Sequence, residues 1–166
     1  MKRVMIIGCP GSGKSTLAKK LSSKLKLPVI HLDQLNWTGH WQMISSEAFD
    51  ALLLTEVQKE AWIIDGNYDR TISLRIQYCD TVIFLNYSKM TCLCGVIKRV
   101  LKGYGKTRSD MGGNCPERFD ISFLKFVWDF NSTYRSKYLT MLSQQTDKNV
   151  MIFHHRKECQ QFLDTL

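Results

Sequence analysis

The chain of 166 residues is 44% hydrophobic and 23% charged, with 23 basic against 15 acidic side chains and a net charge of +8. That is the length of one domain with its own core, and the composition excludes disordered, collagenous and low-complexity chains. No apolar run approaches the roughly 20 residues that span a bilayer, and the short run 4–7 leads into glycines rather than a signal cleavage site. The expectation is a cytoplasmic protein without membrane contact, organised as a single domain over residues 1–166.

Taken in chain order, the apolar run 4–7 predicts a buried strand. A helix is predicted from Lys14, with Leu17, Leu21 and Leu25 on one face, ending before Pro28. Residues 29–32 read as a second strand, and 33–45 as irregular, aromatic chain containing Trp37, His40 and Trp41. Ser45 or Ser46 caps a helix in which Phe49, Leu52, Leu53 and Val57 share a face. Residues 62–64 form a third strand, ended by Asp65-Gly66, and 81–85 a fourth. Helical pattern resumes over 89–102. Residues 103–118, with Gly103, Gly105, Gly112, Gly113 and Pro116, read as a long mobile loop, a lid segment. The longest helix is predicted over 119–142, with Phe123, Phe126, Val127, Phe130, Tyr134 and Tyr138 on one side. A last strand at 150–153 and a short helix close the chain. Strands alternating with helices argue for an α/β fold with a parallel sheet covered on both faces, in which ligands bind beyond the carboxyl ends of the strands.

Gly8-Cys9-Pro10-Gly11-Ser12-Gly13-Lys14-Ser15 matches G-x-x-x-x-G-K-[ST] between a strand and a helix. Gly11 and Gly13 let successive N–H groups converge on one anion, and the helix N-terminus adds its dipole. Lys14 reaches the β- and γ-phosphates, and the Ser15 hydroxyl suits Mg²⁺. Residues 8–15 together with Thr16 are therefore the predicted nucleotide-binding site, with ATP and Mg²⁺ as ligands. No guanine-reading N-K-x-D occurs.

Asp33 and Asp65 follow the second and third strands and so lie at the ligand edge; each suits Mg²⁺ held through water, or a proton from an attacking hydroxyl. Asp65 joins Ser15 as a candidate metal-site residue, and Asp33 is assigned to the acceptor. Asn67, Tyr68 and Arg75 join the acceptor side on their closeness to Asp65. Asp80 precedes its strand and reads as structural. Arg99 and Arg108 flank or lie in the glycine-rich loop and suit a lid that closes over phosphates and stabilises the moving phosphoryl together with Lys14. Arg118 reads equally as a functional lid arginine or as a simple partner of Glu117 and Asp120. Trp37, His40 and Trp41 either wall an acceptor pocket or cover the core. The aromatic stripe over 123–138 reads as core rather than a base-stacking surface. The six cysteines read as reduced thiols; a zinc site from Cys92, Cys94 and Cys115 is weighed against packing, and packing is preferred.

Several segments carry a family likeness. Residues 8–15, His31-Leu32-Asp33 with Leu35 and Trp37, Trp62-Ile63-Ile64-Asp65-Gly66-Asn67-Tyr68, Arg108 with Asp110-Met111, and Cys115-Pro116-Glu117-Arg118-Phe119-Asp120 resemble the bacterial topology modulation proteins, adenylate-kinase-like P-loop kinases. The resemblance implies a three-layer P-loop NTPase fold, five-stranded and nucleoside-monophosphate-kinase-like with a lid, and ATP with Mg²⁺. It places Asp65-Gly66 after the third strand and Arg99 and Arg108 before and within the lid. The chain departs from the family at Ser109 and Ser136, where proline is usual. No acceptor-binding arginines follow Asp33, which argues against AMP as acceptor.

The expected activity is transfer of the γ-phosphoryl of ATP to a small nucleotide-like or hydroxylated acceptor. The alternative is a nucleotide-switched regulator acting on DNA topology with little kinase activity. The +8 charge suits nucleic acid as a partner, but no DNA-binding motif supports it. Neither the acceptor nor the oligomeric state is legible.

Overall fold

The apolar runs recognised above become the centre of a five-stranded, wholly parallel sheet in the computed structural model, which describes residues 1–166. In chain order the elements are β1 (Arg3–Gly8), α1 (Lys14–Leu25), β2 (Val29–His31), α2 (Leu32–Asn36), β3 (Trp37–Gly39), β4 (Gln42–Met43), α3 (Ser46–Val57), β5 (Trp62–Asp65), α4 (Ile72–Tyr78), β6 (Thr81–Leu85), α5 (Lys89–Gly103), α6 (Ile121–Ser143), β7 (Asn149–Phe153) and α7 (Arg156–Asp164). The sheet order is β2-β5-β1-β6-β7, and β3 and β4 pair as a separate antiparallel ribbon.

Val4, Met5, Ile6 and Ile7 in β1 are fully buried, as are Val82 and Ile83 in β6. Strands covered by helices on both faces need apolar side chains on both, which explains unbroken rather than alternating runs. In α1, Leu17, Ala18 and Leu21 face this core. The Ser45 hydroxyl accepts the Ala48 N–H at 3.2 Å and starts α3. Phe49, Leu53 and Val57 of α3 are buried, but Leu52 is 46% exposed: one residue is 100° of helix, and Leu53 takes the inward place. In α6, Val127, Phe130 and Tyr138 are buried, and Phe126, expected with them, is 42% exposed.

Three elements escaped the sequence reading. The irregular stretch contains α2 and the β3–β4 hairpin, and α4 lies in a stretch left without an element. Each is too short for a hydrophobic period to repeat. The β3–β4 turn has His40 (φ 47°) and Trp41 (φ 59°) in the left-handed region, without the glycine or asparagine that marks such turns. Asp80 is structural as expected, its carboxylate accepting the N–H groups of Lys2 (2.7 Å) and Arg3 (2.9 Å). Cys92 is buried and Cys94 exposed on α5, while Cys115 Sγ accepts the Trp41 N–H at 3.4 Å. No helix is long and apolar enough to cross a membrane.

The strand register positions the site. Asp65 stands opposite Ile6 of β1 on one side and His31 of β2 on the other, at the carboxyl ends of all three strands. We expect Leu53→Ala to lower stability by about 2–5 kcal/mol and Leu52→Ala by less than about 0.5 kcal/mol in urea unfolding. Equal losses would contradict the observed rotation of α3.

Candidate active site

Between β1 and α1 the chain bends through a loop closely backed by α5. Gly11 has φ +80°, and a Cβ there would meet the Cys92 carbonyl at 2.2 Å. Gly95 on α5 is similarly excluded from carrying a side chain, its ideal Cβ lying 2.1 Å from the Gly11 carbonyl oxygen. Lys14 Nζ donates to the carbonyls of Gly8 (2.8 Å) and Cys9 (3.2 Å), and burial pushes its pKa down, opposed by the Asp65 charge. Residues 10–16 line a cavity of about 1270 Å³. Gly8 and Cys9, predicted with them, do not: their part is to offer carbonyls to Lys14, while the Cys9 thiol points into the core near the Val127 carbonyl at 3.7 Å. The cavity exceeds the roughly 300–1,000 Å³ of common single-ligand pockets, and so has room for two ligands.

Asp65 joins the loop to the sheet. Ser15 Oγ donates to its Oδ2 at 2.7 Å, and the His31 ring meets its Oδ1 through Nδ1. Asp110, named above only in the family likeness, lines the same cavity. Burial pushes the Asp110 pKa up, but opposing influences led by the Arg108 charge outweigh it and leave it lowered. Ser15, Asp65 and Asp110 are hard oxygen donors beside the phosphate loop, the chemistry Mg²⁺ prefers. No group of three or more His, Cys, Asp or Glu side chains is placed to hold a metal ion.

Asp33 follows His31 by two residues and faces the same cavity from the first turn of α2. Tyr68 OH donates to its Oδ1 at 2.9 Å. Burial raises the Asp33 pKa, against the lowering effects of Tyr68, Arg108 and Lys14. The Tyr68 hydroxyl is itself pushed up, by burial and by the Asp33 charge. Asn67 lines the cavity, and its Oδ1 also accepts the Gly8 N–H at 3.0 Å, tying the loop after β5 to the phosphate loop.

Arg75 is a correction. It is fully buried, outside the cavity, and its guanidinium donates to the carbonyls of Gly66 (2.8 Å), Asn67 and Tyr68 (3.3 Å). Burial pushes its pKa down to about 10. Its work is to hold the 66–68 turn; closeness in sequence to Asp65 was misleading because α4 carries it behind that turn.

The segment expected to be a mobile loop is folded down over the site. Short bridges join Tyr104 to Glu117 and Thr107 to Pro116, and Met111 and Cys115 are buried. Glu117, 3% exposed, sets both lid arginines: its Oε1 lies 2.9 Å from Arg99 Nε and 2.6 Å from Arg108 Nε. Arg108 Nη1 is also 2.6 Å from Asp110 Oδ2. Both arginines line the cavity. Arg118 pairs with Asp120 (3.7 Å), not Glu117, and lies over Trp41; Arg135 is exposed on α6. The signal for Asp110 and Glu117 was present: they are the two acids among 98–118.

The lid tip meets the hairpin by backbone. The His40 N–H donates to the Asn114 carbonyl at 2.7 Å, and the Gly112 N–H to the Asp33 carbonyl at 3.3 Å. A Cβ on Gly112 would meet the Trp37 carbonyl at 2.0 Å, and one on Gly113 the Thr38 carbonyl at 2.2 Å. Trp37 and Trp41 line the cavity beneath this seam, with rings 5.5 Å apart and nearly perpendicular; His40 is exposed outside it.

Residues 4–85 match the family described as "ATPase family associated with various cellular activities (AAA)", a stretch that carries the phosphate loop, Asp33 and Asp65 and stops before the lid. No curated protein matches the chain. Among solved structures, a shikimate kinase from Bacteroides thetaiotaomicron superposes with a TM-score of 0.58 at 18% identity, covering 99% of this chain and 95% of the other. The likeness therefore extends through the lid and α7.

Gly112→Ala should lift the lid tip from the hairpin and raise trypsin cleavage within 103–118 several-fold, with little change in melting temperature, because the core is untouched. Cleavage at the parent rate would show that the seam does not hold the lid.

Proposed function

We propose that this P-loop, kinase-like fold binds Mg·ATP along residues 8–16 and passes the γ-phosphoryl to the hydroxyl of a small acceptor held at Asp33. The observation that carries this reading is the cavity itself. It runs from the phosphate loop to a desolvated carboxylate, under a lid that brings in two arginines. ATP hydrolysis alone gives no reason for a second end built around a buried carboxylate.

In this reading the loop N–H groups and the α1 N-terminus hold the β- and γ-phosphates. Lys14 exchanges its two carbonyl partners for phosphate oxygens. Arg99 and Arg108, bracketed through Nε by Glu117, present their remaining N–H groups to the equatorial oxygens of the transferring phosphoryl, where positive charge is most effective in a loose transition state. Ser15 and Asp65, with Asp110, are the residues that would hold magnesium, which when bound screens the phosphate charge. Asp33 accepts the proton of the acceptor hydroxyl, and Tyr68 fixes the orientation of that carboxylate. The lid over the hairpin keeps water from competing for the phosphoryl. The likeness to topology modulation proteins rests on the sequence segments alone, and the cytoplasm remains the proposed location.

The deciding experiment follows ADP release from Mg·ATP across nucleosides, nucleotides and small hydroxylated metabolites. One acceptor should stimulate turnover, and Lys14→Ala should reduce that turnover by about 10²–10³-fold. Slow turnover indifferent to every acceptor would favour the nucleotide-switched regulator.

Asp33→Asn should lower transfer about 10²–10⁴-fold and yet stabilise the fold at pH 7. The sign follows from the raised folded-state pKa: an ionised Asp33 opposes folding at neutral pH, and that opposition disappears as pH falls through the folded pKa. The variant's higher urea midpoint should therefore shrink toward the parent's on acidification. An unchanged or lower midpoint at pH 7 would contradict the burial of Asp33.

A further inference from the structure

The two ends of the cavity differ in charge. Its cations come from the phosphate loop and α1, α5, the lid and α7; none comes from the chain between Val29 and Asp80. That stretch instead contributes Asp33 and Asp65, the amides of Asn36 and Asn67, the Tyr68 phenol, Trp37, Trp41 and the exposed Met43. Its own arginines are spent elsewhere, Arg75 on the 66–68 carbonyls and Arg70 on Asp50 at the surface. The two lid arginines that approach this end are already paired. Arg108 is held by Asp110 and Glu117, and Arg118 lies 5.3 Å over Trp41 beside Asp120.

A phosphate or carboxylate on the acceptor would therefore sit beside two carboxylates in a partly desolvated space, where the two arginines that approach already face carboxylates of their own; like charges at such distances are strongly unfavourable. An uncharged acceptor meets no such barrier. The perpendicular indoles of Trp37 and Trp41 form a corner that takes a flat ring against one face and its edge against the other. Two donors on cavity-lining residues here, Asn36 Nδ2 and Trp41 Nε1, are buried without a hydrogen-bond partner, and Asn36 as a whole is 6% exposed. Buried donors are normally satisfied, so both call for an acceptor atom such as a ring carbonyl or ring nitrogen.

We propose that the acceptor is an uncharged heterocycle bearing a free hydroxyl, of the nucleoside kind, rather than a phosphorylated or carboxylated compound. This rests on the phosphoryl-transfer reading above. The hydroxyl oxygen bonds to the γ-phosphorus as its bond to the β,γ-bridging oxygen breaks; the hydroxyl proton passes to Asp33, and the products are a monophosphate and ADP.

The test is calorimetric binding to the full chain with its donor site saturated by a non-hydrolysable ATP analogue and Mg²⁺. The probes are the common nucleosides, their 5′-monophosphates and hydroxylated carboxylates. At least one nucleoside should bind at least tenfold more tightly than its monophosphate and than any carboxylate. Trp37→Leu, which keeps apolar bulk but removes the ring, should weaken it about tenfold. Monophosphate or carboxylate binding as tight as the best nucleoside overturns the proposal, as does the absence of any nucleoside binding; both read on the parent protein, so folding of the variant does not decide them. Nucleoside binding without phosphoryl transfer from Mg·ATP would overturn the transfer reading and leave the acceptor class standing. Transfer to an anionic acceptor would do the reverse.

Discussion

The carboxylate of Asp65 is the joint on which the site depends. It is 4% exposed, and it meets the Ser15 hydroxyl with one oxygen and the His31 ring with the other. A buried carboxylate without partners is untenable, so the end of β5, the start of α1 and the end of β2 must come together in one arrangement. That arrangement places the phosphate loop beside the Asp33 turn. Asn67 adds a second tie from the same strand end by accepting the Gly8 N–H, and Arg75 holds the intervening turn from behind. The phosphate loop and the Asp33 end of the cavity are thus set in register by polar contacts at the rim of an apolar sheet.

Closure is governed by a different constraint, the absence of side chains. Gly112 and Gly113 let the lid backbone lie directly on the carbonyls of the β3–β4 hairpin, and hydrogen bonds from His40 and Gly112 fasten the seam. The left-handed turn at His40 and Trp41, adopted without glycine, is strain of the kind that persists only where the surroundings over-determine it. Here the lid supplies that surrounding. Glu117 at the lid base aims Arg99 and Arg108 through their Nε atoms, so the fold of the lid and the placing of positive charge are tied to one carboxylate.

Nine of the 23 basic side chains line the cavity, and they lie on one side of it. The cavity's cations gather around the phosphate loop and lid, whereas its Asp33 end keeps carboxylates, amides and indoles.

The sequence by itself determined the sheet, the loop and their relation. Runs such as Val4 to Ile7 have no face that tolerates water, and G-x-x-x-x-G-K-S has few backbone solutions after a strand, so β1, the loop and α1 were legible without coordinates. Asp33 and Asp65 were legible too, because strand ends in a parallel sheet share an edge. Short elements were not: α2, the hairpin and α4 contain too few residues for a period to show. Nor was the role of Arg75, since nothing local distinguishes an arginine that reaches a ligand from one that reaches three backbone carbonyls. The lid showed its glycines but not their use, which is close approach to a hairpin 75 residues earlier. Contacts at that separation depend on where the chain returns in space, and only the tertiary structure decides that.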